Sequence, residues 1–114
     1  MFFKKIYAAF INSFKGIYRA LQEEFAFRIE FILSAFLIPA SFFIGDNVLE
    51  IILLFGSTLF ILLVELLNTA IETTLNRVGT EENDLTKYAK DMGSGAVLIS
   101  LLLWLVTWSL IVIY

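Results

Sequence analysis

The chain contains no cysteine and no histidine. That excludes disulfides, thiolate nucleophiles, Ser-His triads and zinc sites built on Cys or His. Any metal bound here has to sit on oxygen ligands, which favours Mg²⁺ or another hard cation. Charge is also scarce, at 17% of the 114 residues against 60% hydrophobic, where soluble domains usually carry about a quarter charged. Basic residues are missing from 29–76 and from everything after 90, so all eight fall in 4–28 or 77–90. Proline occurs once, and neither an internal repeat nor a low-complexity stretch is evident.

What is present is apolar, in long runs. Met92 to Tyr114 holds 23 residues without a formal side-chain charge, enough to cross a bilayer. Residues 31–45 are uncharged but short for a span. Extending them back through Phe25, with Arg28 and Glu30 snorkelling or facing other helices, gives about 20. Pro39 is expected to kink that helix. The stretch Gly45-Asp46-Asn47 reads as a turn, with Gly and Asn tolerating unusual backbone angles and Asp46 capping the helix that follows. A second span runs from about residue 48 to 76, a polar loop occupies 77–90, and a third span covers about 91–113.

Ahead of these, Phe3, Ile6, Tyr7, Phe10, Phe14, Ile17 and Leu21 recur at steps of three and four, with Lys4, Lys15 and Arg19 mostly off that stripe. The pattern suits a helix over 1–24 lying in the membrane interface; the alternative is an amphipathic helix packed on protein. Its recurring cations leave no uncharged core for a signal peptide. The expected architecture is one all-α membrane domain over residues 1–114. By the positive-inside rule, the N-terminus and the 77–90 loop are cytoplasmic and the C-terminus lies outside. No nucleic-acid partner is expected.

One stretch resists this apolar reading. VELLNTAIETTLNR, residues 64–77, puts Glu65, Asn68 and Glu72 in or beside the second span, where a buried carboxylate costs about 2.5–3.5 kcal/mol on insertion scales. Seven helical residues turn about 700°, so Glu65 and Glu72 share a face some 10 Å apart along the axis, and Asn76 continues it. Glu23, Glu24 and Glu30 lie at the junction of the first two helices, and Lys90-Asp91 opens the third span beside MGSG, whose small residues permit close helix approach. Carboxylates gathered at low dielectric repel one another, and a divalent cation would keep them charged. With a lysine to meet phosphate, this is the electrostatic equipment of phosphoryl transfer, without a Walker A or GxGxxG sequence. A proton or ion conduit, or an interaction protein, would also account for an intramembrane acid. Glu81, Glu82 and Asp84 read equally well as a solvated loop.

VELLNTAIETTLNRVG, AKDMGSGAVL and the segment from Glu24 to Glu30 (EFAFRIE) resemble the prokaryotic integral-membrane diacylglycerol kinases, over nearly the whole chain. The resemblance implies a homotrimer of three-span subunits in the bacterial inner membrane, using MgATP to phosphorylate a lipid alcohol. It further implies Glu65 as general base, Glu24 and Glu72 as metal ligands, Lys90 and Asp91 as the phosphate-contacting and site-organising pair, and Asn68 as a residue shaping the site. ATP contacts would extend to Glu81, Glu82 and Asn83 and, by a weaker match, to Lys5 and Asn12. Ser13, Arg28, Glu30 and Ser94 match positions lining the lipid site. Asn76 stands where relatives commonly have Asp, and the loop EEND departs from the commoner E-Y-H. Undecaprenol kinases share the fold and motifs and form the alternative within the family; FRIE and KDMGS look more like the diacylglycerol-specific branch.

Overall fold

The computed structural model describes residues 1–78 and 84–114. Among them it is all-helical, with four helices: α1 (Phe2–Glu23), α2 (Phe25–Ile44), α3 (Val48–Val78) and α4 (Asp84–Ile113). The last three are long and apolar enough to cross a membrane. α3 packs most extensively on α4 and next on α2, while α1 leans on α2 and touches α3 only slightly. At 31 and 30 residues, α3 and α4 each run to about 45 Å, well beyond a hydrocarbon core of about 30 Å.

The packing inverts that of a water-soluble domain. Phe36, Phe43, Ile99 and many other large apolar side chains are exposed, whereas Ser34, Ser41, Ser57, Thr58 and Ser100 are buried. Small polar residues let helix backbones approach closely, and their hydroxyls can be satisfied locally. Ser41 donates to Ile38 O at 2.6 Å, Ser100 to Val97 O at 2.7 Å, and Thr58 to Leu54 O at 2.8 Å. One link crosses between helices here: the indole Nε1–H of Trp104 donates to Thr58 Oγ1 at 3.2 Å. α2 stays helical through Pro39.

Three local expectations change. The turn before α3 has no positive φ; Gly45 sits at φ −69°. A Cβ there would lie 2.6 Å from Ile51 Cγ1, so glycine serves close approach. Asn47, not Asp46, caps α3: its Oδ1 accepts from Glu50 N at 2.9 Å, and Glu50 Oε1 accepts from Asp46 N at 2.9 Å. This closely resembles a reciprocal capping box. Residues 84–90, expected in a loop, form the first turns of α4. Asp84 in the first turn complements the helix dipole, and Lys87 pairs with Asp91 one turn on, at 3.1 Å. Charge marks where a helix leaves lipid, not where it ends.

Candidate functional site

α3 turns Glu65 and Asn68 inward, leaving them 9% and 8% exposed. Both lie on its buried face, three residues apart, and Glu72 follows on the same side after α3 emerges from its neighbours. The Asn68 amide donates from Nδ2 to Glu72 Oε1 at 2.8 Å, which fixes the orientation of both side chains. The other end of that amide, Oδ1, is buried without a hydrogen-bond partner among the described residues. It lies against Gly93 of α4, so close that a Cβ at that position would collide with it. The small-residue stretch around Gly93 is therefore what admits Asn68 between the two helices.

Glu24 is the lone non-helical residue between α1 and α2, at φ −110° and ψ 110°. It ends one helix and starts the next, and its backbone N–H still reaches Ala20 O at 2.8 Å. This elbow brings its carboxylate, together with that of Glu72, within electrostatic reach of Glu65. Glu30, one and a half turns into α2, lies within reach of Glu65 from another side. Its Oε2 is buried and has no hydrogen-bond partner among the described residues, beside a small cavity of about 130 Å³ bounded also by Ser34, Thr58 and Trp104. Three carboxylates, from the α1–α2 elbow, from α2 and from α3 itself, thus lie around the buried Glu65. Among the described residues, no three of these four converge closely enough to hold a metal by themselves.

A cleft of about 620 Å³ separates α1 from α3, bounded by Ser13, Glu23 and Glu24 on one side and Thr69, Thr73 and Thr74 on the other. Nothing in the sequence distinguishes Thr69 and Thr73 as site residues. Their four-residue spacing on one face of α3 was the available signal, and it is indistinguishable from ordinary helix patterning. Glu23 also pairs with Arg19 at 2.8 Å, and this hydrogen bond pushes the exposed guanidinium further above its ordinary pKa.

On α4, Lys90 donates from Nζ to Asn76 Oδ1 at 3.1 Å, bridging the ends of α3 and α4. Asp91 faces Lys87 and is exposed. Ser94 is exposed as well, as are Lys5 and Asn12 on α1. Ser13 returns its hydroxyl to Ala9 O at 2.8 Å. Arg28 directs its guanidinium back onto α1, donating to Leu21 O at 2.8 Å and to Gln22 O at 2.7 Å. Glu81, Glu82 and Asn83 lie outside the described residues. Among the described residues, the structure therefore brings together Glu24, Glu30, Glu65, Asn68 and Glu72 and sets Lys90 beside Asn76, while Lys5, Asn12 and Ser94 are exposed and make no hydrogen bond to that cluster.

Known proteins resemble this chain along most of its length. A relative from Haemophilus influenzae, named diacylglycerol kinase, is 44% identical over 84% of this chain and 81% of its own. Diacylglycerol kinases of Pseudomonas aeruginosa and Escherichia coli are 41% and 35% identical, each over 96% of this chain and 89% of the relative. The family model described as prokaryotic diacylglycerol kinase matches residues 11–112, a stretch that contains the whole carboxylate cluster, and the chain accordingly belongs to the prokaryotic diacylglycerol kinase family.

Proposed function

We propose that the protein transfers the γ-phosphoryl group of ATP to the primary hydroxyl of diacylglycerol, giving phosphatidic acid, at the cytoplasmic face of the bacterial inner membrane. The observation that carries this reading is Glu65, a buried carboxylate flanked by those of Glu24 and Glu72 in a chain of this family. A general base needs to reach a lipid hydroxyl where lipid hydroxyls are, and Glu65 sits on a membrane-crossing helix about two turns before that helix emerges.

Glu65 accepts the proton of the lipid hydroxyl as its oxygen bonds to the γ-phosphorus, and the bond to the bridging oxygen of ADP breaks. Asn68 holds Glu72 in place through their hydrogen bond. Lys90, anchored on Asn76, supplies positive charge for the transferring phosphoryl group, with Asp91 organising that end of α4. The donor set is all oxygen, and Mg²⁺ commonly takes only one or two carboxylates, with water and nucleotide phosphates filling its octahedron. Glu24 and Glu72 fit an ion that arrives with the nucleotide. When bound, Mg²⁺ neutralises charge on the phosphate oxygens. Glu81, Glu82, Asn83, Lys5 and Asn12 extend the nucleotide contacts, and Ser13, Glu30 and Ser94 line the lipid side.

The N-terminus and residues 77–90 are cytoplasmic, because every Lys and Arg lies in those two regions. α1 lies in the membrane interface; in support, Phe3, Phe10 and Phe14 are 81%, 62% and 61% exposed in the isolated subunit. Three subunits assemble as a homotrimer.

Purified protein in mixed micelles with Mg²⁺ and γ-labelled ATP tests the reading. Label should pass to diacylglycerol. Undecaprenol as the much better acceptor would reassign the lipid. Failure to label either, with dissipation of a proton gradient across liposomes, would replace the kinase with a conduit.

A further inference from the structure

We propose that Arg28 is a positioning residue, whose guanidinium clamps the elbow between α1 and α2 and so sets where the Glu24 carboxylate stands relative to Glu65. This rests on the reading of Glu24 as a ligand of the nucleotide-bound metal.

The last carbonyls of a helix have no partner within it. In α1, Ala20 O is taken by the backbone N–H of Glu24, and the next two, Leu21 O and Gln22 O, are both taken by Arg28. The same residue's backbone N–H donates to Glu24 O at 3.0 Å. One residue therefore holds the elbow from both sides, and the residue enclosed by those contacts is Glu24. α1 has no basic residue in its own last turn, so Arg28 also supplies the cation that complements the negative end of its dipole.

Beyond its packing on α2, little else restrains α1. It touches α3 only slightly, and the 620 Å³ cleft lies between them. Removing the clamp frees α1 to swing about residue 24 and carries the Glu24 carboxylate away from Glu65, with α2 and α3 left in place. The planar fork of arginine reaches two carbonyls at once; an ammonium group is a single point charge on a flexible stem. Nucleotide binding should therefore suffer, through Glu24 and the α1 residues Lys5 and Asn12, while the lipid side, held on α2, α3 and α4 apart from Ser13, should change much less.

The test uses the full chain in mixed micelles, with Arg28→Met and Arg28→Lys compared with wild type. Each is titrated with Mg·ATP at saturating diacylglycerol, and with diacylglycerol at saturating Mg·ATP. Arg28→Met should raise the KM for Mg·ATP about tenfold or more, as expected for a displaced ligand, with the KM for diacylglycerol within about twofold of wild type. Arg28→Lys should recover part of that loss. Because the chain has no cysteine, thiols introduced as Lys15→Cys and Phe36→Cys can carry two spin labels without background. Their distance distribution should broaden in Arg28→Met. A rise in the lipid KM instead of the nucleotide KM would make Arg28 a lipid contact and overturn the proposal, as would a distribution as narrow as that of wild type. Wild-type protein inactive on every lipid would refute the kinase reading alone, and the distance distribution would then decide the clamp.

Discussion

Both halves of the helical bundle bury polar side chains, yet they use them in opposite ways. In the half containing Ser41, Ser57, Thr58 and Ser100, each hydroxyl returns its hydrogen bond to a carbonyl three or four residues back in its own helix. Such groups are self-satisfied, and their value lies in small size. In the half containing Glu24, Glu30, Glu65, Asn68 and Glu72, side chains bond to one another or are left incomplete, with Glu30 Oε2 and Asn68 Oδ1 both lacking partners. Buried polar atoms without partners cost about 1–3 kcal/mol each, and a membrane protein has little reason to keep them unless something else binds there. Among the described residues, Trp108 Nε1 is also unpartnered, and it lies in the hydroxyl-rich half. Burial of polarity alone does not mark a site; unfilled hydrogen-bonding capacity gathered among neighbouring carboxylates does.

Substitutions can break that contrast. The largest effect is expected from Glu72→Gln, which keeps the hydrogen bond from Asn68 but removes the charge; phosphoryl transfer should fall roughly 100-fold or more. Its counterpart in the other half, Ser100→Ala, should leave the rate within about twofold, and equal losses would erase the distinction. Next is Gly93→Ala, whose methyl group would force Asn68 to move. Overpacking of this kind costs about 1–3 kcal/mol, visible as a lower thermal midpoint in detergent, and a drop in activity should accompany it as Asn68 releases Glu72. Smaller still is Thr58→Val, which removes the acceptor for Trp104 and should cost about 0.6 kcal/mol with activity retained. The smallest is Asn76→Asp. It converts the Lys90 contact into an ion pair worth about 0–1 kcal/mol near water, and raising the salt concentration should remove the gain.

Much of this contrast was legible in the sequence, because helical spacing needs no tertiary information. The seven-residue step from Glu65 to Glu72 and the small residues around Gly93 both predicted what the structure brings together. Less legible was anything decided by partners distant in the chain. Trp104 and Thr58 lie 46 positions apart, and no periodicity links them. The start of α4 is less legible because Lys87 and Lys90 read as loop cations and Asp91 as the opening of a span, whereas the Lys87–Asp91 pair at i,i+4 lies within one helix. Arg28 was legible as a charge near an interface, but not as the cap of the preceding helix, which depends on the angle of the elbow.

The central claim is that the buried Glu65 carboxylate takes the proton of the lipid hydroxyl. Its most direct test is transfer of labelled phosphate from Mg·ATP to diacylglycerol by Glu65→Gln protein whose thermal unfolding coincides with that of wild type. Loss of about 100-fold or more is expected for removal of a general base; near wild-type transfer by the folded variant would contradict it.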